Sequence, residues 1–315
     1  MNTLVTGGAG FIGSHIVEAL LAQGHRVRVL DNFATGKHEN LAAVKDDVEL
    51  ITGDIRDLDT CRMACAGVNR VWHEAAVVSV PISVEDPLAN NDVNITGTLN
   101  MLLAARDAGV GRLVFASSCA IYGADPPLPC REDQPLMPIS PYAIAKMAGE
   151  FYVRQFASLY GFETVALRYF NIYGPRQDPK SQYAGAVAAF FNILRAGKPA
   201  TVYGDGEQSR EFTYVADCVR ANLLAGFGGP ETAGEYFNIA VGAPVTINQL
   251  LAAIQEALGV NLPVNYAPER AGDVRYSSAD TSKATNLLCF TPQWSLRDGI
   301  RETGAWFEAW QGARA

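Results

Sequence analysis

The sequence predicts an α/β protein built on a doubly wound parallel sheet, with a smaller mixed α/β unit behind it. Two observations carry this reading. Through the first half of the 315 residues, short apolar runs rich in β-branched residues alternate with stretches of helical period. Beyond Gly174-Pro175 the texture changes to more proline, more loop and shorter elements. The expected division is therefore residues 1–174 for a nucleotide-binding unit and 175–315 for a substrate-binding unit, with room for the chain to cross back.

Taken in order, Thr3 to Thr6 is the first strand, followed by a helix from about Ile12 to Ala22 that Gly24 closes. Arg26 to Leu30 is the second strand and ends at Asp31; Val48 to Thr52 is the third and leads to Asp54-Ile55. Arg70 to His73 is the fourth, and one long helix is expected from Asn91 to Ala108. Leu113 to Ser118 is an apolar run ending in small hydroxyl residues, as a buried strand does where it reaches a sheet edge. A helix then runs from Ser140 to about Tyr160, and Thr164 to Arg168 is the sixth strand.

The glycines Gly7, Gly10 and Gly13 lie between the first strand and its helix, where bare backbone turns tightly and approaches a pyrophosphate at a helix N-terminus. Phe11 and Ile12 open that helix, and Asp31 closes the second strand where it can accept both ribose hydroxyls of a dinucleotide. That context makes the glycine motif a Rossmann dinucleotide site, with NAD preferred because Asp31 repels a 2′-phosphate. Tyr142 and Lys146 stand four residues apart on one helical face. An ammonium beside a phenol is expected to lower its proton affinity and suit it to act as a base.

Composition narrows the class. A net charge of −8 and a pI near 5.1 argue against a nucleic-acid partner. No apolar run is long enough to span a bilayer, so no membrane partner is expected. The six cysteines, Cys61, Cys65, Cys119, Cys130, Cys218 and Cys289, lack the pairing of a zinc site and read as reduced thiols with no metal. Because the first strand begins almost at Met1, no signal peptide is expected and the expected compartment is cytoplasmic.

Together the Gly7-to-Gly13 loop, Ser118 and Tyr142-x-x-x-Lys146 resemble the extended short-chain dehydrogenase/reductase family, and within it the nucleotide-sugar 4-epimerases, over nearly the whole chain. The resemblance implies a catalytic set of Ser118, Tyr142 and Lys146, with Ser117 a near-equivalent neighbour on the substrate side. It implies NAD contacts from Asn32 beside Asp31, the adenine clamp Asp54-Ile55, Ala75-Ala76 and Asn94. On the sugar-nucleotide side it implies Ser79, Asn171, Arg210, Arg270, Asp273 and Ser277. Family dehydratases and decarboxylases place an acid just after the serine; here Cys119 and Ala120 fill those positions, which favours epimerisation.

The implied enzyme is an NAD-dependent UDP-sugar 4-epimerase working as a homodimer. A UDP-glucuronate 4-epimerase or another nucleotide-sugar oxidoreductase stands as the alternative, and a non-enzymatic NAD-binding regulator is disfavoured by the intact catalytic set. Substrate width turns on one position. Aligning Gly272-Asp273 and Ala279-Asp280 puts Ser277 at the wall beside the sugar's C2 substituent, where a small residue leaves room for an acetamido group; a one-residue slip puts Tyr276 there instead. The run Ala75 to Pro81 also looks like the N-acetyl-preferring branch, although Val78 stands where a smaller residue is expected.

Overall fold

β1 (Asn2–Thr6) lies inside a seven-stranded sheet, flanked by β2 (Arg26–Asp31) and β4 (Arg70–His73). The structure, a computed structural model, describes residues 1–178, 185–269 and 275–312. From one edge the sheet runs through a strand at Tyr236–Ile239, then β6 (Glu163–Tyr169), β5 (Arg112–Ser118), β4, β1, β2 and β3 (Val48–Thr52). Every pairing is parallel. The chain leaves β1 toward β3 and then restarts at β4 on the other side, so a crevice opens at the carboxyl ends of β1 and β4.

Both faces of the sheet are covered, which is why β5 is buried at all seven positions. One face packs Val5, Val29, Trp72, Val114 and Leu167 against α1 (Phe11–Ala22) and a later helix at Val215–Phe227. The other packs Leu4, Val71, Leu113 and Phe115 against α2 (Leu58–Cys65) and helices further along, through Met101 and Val153.

The single helix expected from Asn91 to Ala108 is three pieces after α3 (Val80–Glu85): α4 (Pro87–Asn91), a π-helical turn at Asp92–Gly97, and α5 (Thr98–Asp107). Asn94 and Gly97 sit inside the π turn. The Thr98 hydroxyl bonds the Asn94 carbonyl at 2.8 Å, and Gly97 presses directly against the Ile55 side chain. The turn is wound wider than an α-helix, a local adjustment often found beside functional sites.

α6 (Pro141–Tyr160) starts where Ser140 caps it, the hydroxyl accepting from Ala143 N at 3.2 Å with Pro141 at its first position, and ends at Gly161 in the left-handed region. After β6 the chain builds α7 (Ala186–Arg195), then α8 (Val215–Phe227), and re-enters the sheet at Tyr236–Ile239, pairing Phe237 with Leu167. Two-stranded pairs accompany α9 (Ile247–Leu258), among them Ser209–Arg210 with Val245–Thr246. No described helix is long and apolar enough to cross a membrane.

Candidate active site

At the end of β1, Gly7 takes φ +66°, and its carbonyl accepts from Gly10 N at 3.0 Å. A β-carbon at Gly13 would collide with that same carbonyl, so only glycine lets α1 approach the loop this closely. Phe11 and Ile12 form the first, half-buried turn of α1. Asp31 reaches across from β2: one carboxylate oxygen accepts from Ala9 N at 2.9 Å and the other from Phe33 N at 2.8 Å. Each oxygen keeps a lone pair for a further donor. Asn32 donates to Asp54 at 2.8 Å, and Arg56 bonded to the Asp54 carboxyl holds it down at about 2. Ile55 is buried beneath, and Ala75 abuts Gly7 with its N–H on the Thr6 hydroxyl at 3.3 Å.

Asn94 is buried and exchanges two hydrogen bonds with the Val77 backbone, both 2.9 Å, which fixes the loop after Ala75 and Ala76. It also donates to Asn90 at 2.8 Å, and Asn90 donates to the Pro141 carbonyl at 3.1 Å. The loop beside the glycines is thereby tied to the first turn of α6. A bare glycine turn at a helix N-terminus, with a carboxylate at the end of β2 aimed back across it, fits a dinucleotide with free ribose hydroxyls.

Ser118, Tyr142 and Lys146 come together at the carboxyl end of β5. Tyr142 and Ser118 share a side-chain hydrogen bond, and the Ser118 hydroxyl also accepts from Ala120 N at 3.2 Å. The Tyr142 backbone N–H is taken by the Ser83 hydroxyl at 3.1 Å, so α3 steadies the phenol's own turn. Lys146 is buried, donates to the Ala116 carbonyl at 2.8 Å, and lies 5.1 Å from the centre of the Phe115 ring.

The expected lowering of the Tyr142 proton affinity is not what the structure shows. Burial pushes the phenol up to about 12, against the pull of the Ser118 hydroxyl. Lys146 points instead at Ala116, and its own burial lowers it to about 8.

Ser117, expected on the substrate side, faces the opposite way and is corrected here. Its buried hydroxyl donates to Glu150 at 2.8 Å. Successive strand residues point to opposite faces, so only one of two adjacent serines can reach the cleft. Glu150 also takes two nitrogens of Arg168, at 3.0 and 2.6 Å, and Arg168 donates to the Tyr122 hydroxyl at 2.7 Å. This buried cluster clamps α6 to β5 and β6 one turn beyond Lys146. Glu150 escapes sequence reasoning because an acid in a helix ordinarily reads as exposed.

On the remaining side, Ser79 is the cap of α3, its hydroxyl accepting from Ile82 N at 3.2 Å. Asn171 is exposed at φ +37°, and its amide donates to the Glu211 carbonyl at 2.7 Å. That backbone region is uncommon outside glycine and clusters at functional positions. Arg210 bonds the Ser209 carbonyl at 2.8 Å, and Ser277 N donates to the Ser209 carbonyl at 3.1 Å, so the two segments lie side by side. Arg270 and Asp273 lie outside the described residues.

Glu74 is a further site residue not expected from the sequence. It follows β4 directly, and its carboxyl accepts from the Tyr169 hydroxyl at 2.9 Å. The only signal was an acid within the otherwise uncharged run Val71 to Val80.

With this geometry in place, the comparisons are decisive at family level. Residues 3–240 match the NAD dependent epimerase/dehydratase family. The chain belongs to that family. It is 41% identical over 311 residues to a UDP-glucose 4-epimerase of Mycolicibacterium smegmatis, covering 98% of each chain. The structure is similar to a UDP-glucose 4-epimerase of Thermotoga maritima solved with UDP-glucose, with a TM-score of 0.93, 41% identity, and 99% and 100% of the two chains covered. It is also similar to a UDP-N-acetylglucosamine 4-epimerase of Methanobrevibacter ruminantium solved with UDP-N-acetylmuramic acid, with a TM-score of 0.93, 38% identity and 98% of each chain covered. In this family member the seven-stranded parallel sheet and the glycine turn are the family's NAD-binding architecture.

Proposed function

We propose that the protein is a UDP-sugar 4-epimerase with tightly held NAD, and that it accepts UDP-GlcNAc and UDP-GalNAc as well as UDP-Glc and UDP-Gal. The observation that carries the reading is the meeting of Ser118, Tyr142 and Lys146 beside the glycine turn, with Cys119 and Ala120 where a dehydratase would carry an acid. Full-length similarity to UDP-glucose 4-epimerases supports it.

In this reading Gly7, Gly10, Gly13, Asp31, Ala75 and Ala76 hold NAD, and Lys146 binds the nicotinamide ribose. Bound NAD supplies a reversible hydride acceptor and a positive ring charge that opposes the effect of burial on Tyr142. Ser118 bonds the sugar's 4-oxygen while Tyr142 takes the 4-hydroxyl proton. Once the C4 hydrogen has left as hydride, the 4-keto sugar would swing about its diphosphate, held by Asn171, Arg210 and Arg270, so that hydride comes back to the opposite face of C4 while Tyr142 returns its proton to the 4-oxygen. Arginine forks suit the diphosphate oxygens.

The wider pocket draws support from the segment after residue 274. Tyr276 is 51% exposed while Ser277 is half-buried, the orientation that leaves Ser277 inward. We also infer a homodimer through α6, where Ile144, Phe151 and Leu159 are exposed apolar side chains along one flank; light scattering of the purified chain reads this directly.

The deciding experiment incubates purified protein with each UDP-sugar and no added cofactor, beside Tyr142→Phe. Interconversion of C4 epimers, with a ~10²- to 10⁴-fold loss in the phenylalanine variant and dinucleotide retained, is the expected result. A variant with near-normal turnover removes Tyr142 from the mechanism.

A further inference from the structure

β4 delivers a carboxyl into the crevice. By alternation Glu74 shares its side of the strand with Trp72, and both side chains reach α8 through Asn222. The Trp72 ring N–H donates to the Asn222 carbonyl at 2.9 Å. Glu74 accepts from the Tyr169 hydroxyl at 2.9 Å, and the oxygen of Tyr169 accepts from the Asn222 amide at 2.7 Å. Asn222 thus brackets the tyrosine hydroxyl: its amide nitrogen donates to that oxygen, while its amide oxygen, at 3.1 Å, and the Glu74 carboxyl, at 2.9 Å, are the two acceptors within reach of the hydroxyl proton.

The place of Glu74 along the crevice follows from strand order. Asp31 ends β2, the glycine turn ends β1, and Ser118 ends β5, with β4 between β1 and β5. A dinucleotide lying from Asp31 across the glycines toward Tyr142 must therefore pass its reacting end over the end of β4. Charged and titratable groups facing Glu74 come from each packed element: Lys146 and Tyr142 of α6, Tyr169 of β6 and Cys218 of α8. Burial pushes the Glu74 carboxyl up to about 7, with the Tyr169 hydrogen bond and then Lys146 opposing it.

We propose that Glu74 is a cofactor-tuning residue whose carboxylate lies under the nicotinamide end of NAD and favours the oxidised, cationic form over the reduced, neutral one. The proposal rests on the NAD reading above. A fixed negative charge in a partly water-excluded crevice interacts with a cationic ring and not with a neutral one. For an epimerase this bias is useful: it keeps the resting protein in the form that accepts hydride, and it makes hydride return to the sugar more favourable. Tyr169 and Asn222 act as positioning residues, since the hydroxyl donated to Glu74 favours the ionised carboxyl.

The test strips the cofactor from the purified full-length chain and measures Kd for NAD⁺ and NADH between pH 6 and 9. Wild type, Glu74→Gln and Tyr169→Phe are compared, with circular dichroism to check folding. The ratio Kd(NADH)/Kd(NAD⁺) is expected to rise with pH in wild type as Glu74 ionises. Lys146 loses its charge in the same range and raises the ratio too, so the difference between wild type and Glu74→Gln is the quantity read. At pH 8.5 the glutamine variant should have a ratio about tenfold lower than wild type, narrowing toward equality at pH 6. In Tyr169→Phe the rise should move to higher pH; this arm also serves if Glu74→Gln does not fold. Equal ratios in wild type and Glu74→Gln across the range, or an unmoved rise in Tyr169→Phe, overturn the proposal alone. Wild type that takes up neither dinucleotide overturns it together with the NAD reading.

Discussion

Ser117 Oγ donates to Glu150 at 2.8 Å, and Glu150 stands four residues past Lys146 on α6. Two consecutive serines of one strand thus do different work: Ser118 bonds the phenol of Tyr142, while Ser117 locks the helix that carries it. Ser118→Ala is expected to lower turnover with little effect on stability. Ser117→Ala should instead cost about 1–2 kcal/mol of stability, by leaving a buried carboxylate oxygen without one of its donors. Urea unfolding beside steady-state kinetics separates the two; equal kinetic losses with no stability difference would show that both serines serve the reaction.

Asp31 sets the cofactor preference. Its carboxylate is already committed to Ala9 N and Phe33 N, which hold it where a 2′-phosphate would lie. Arg28, the nearby cation in the sequence, is tied to the Ala64 and Ala66 carbonyls and pairs with Glu49, so it does not offset that charge. NAD should bind more tightly than NADP by a few kcal/mol. Competitive binding of the two dinucleotides measures it, and equal affinities would remove Asp31 from this role.

Substrate width rests on Ser277. Replacing it with tyrosine should fill the space for an acetamido group and depress kcat/KM for UDP-GlcNAc by at least tenfold while sparing UDP-Glc. The two ratios are read in wild type and Ser277→Tyr. Wild type that ignores the acetylated pair, or a tyrosine variant that handles it as well, means another residue is the gate.

Stability toward acid should depend on His73. The ring bonds the Thr6 hydroxyl at 2.7 Å and the Thr98 hydroxyl at 3.1 Å, and burial, then Lys146, lowers it to about 3. Between 6.5 and about 3 the unfolded chain binds a proton at this position and the folded one does not, so its contribution is full above 6.5 and falls as the pH drops. The stability advantage of wild type over His73→Gln should narrow by about 2 kcal/mol from pH 7 to pH 5. Urea midpoints at the two pH values check this; a constant gap would mean that His73 takes up its proton at the same pH in the folded and the unfolded chain.

The sheet, the glycine turn with Asp31 and the Tyr142/Lys146 pair were legible in the sequence, because each rests on local chemistry. Strands announce themselves by apolar runs, a helix by its period and cap, a pyrophosphate turn by glycines at fixed spacing. Tertiary structure decided what depends on direction and burial. Ser117 and Ser118 read alike until the pleat turned them to opposite faces. Lys146 next to Tyr142 suggested a lowered phenol, but the ammonium reaches the Ala116 carbonyl and burial governs the tyrosine. The π turn at Asp92–Gly97 lies where Gly97 meets Ile55, a contact between segments far apart in the chain. Glu74 and Glu150 were not singled out in the sequence, and only their meeting with Tyr169 and Arg168 inside the fold gave them partners, since a carboxyl is stable in a dry interior only where donors converge on it.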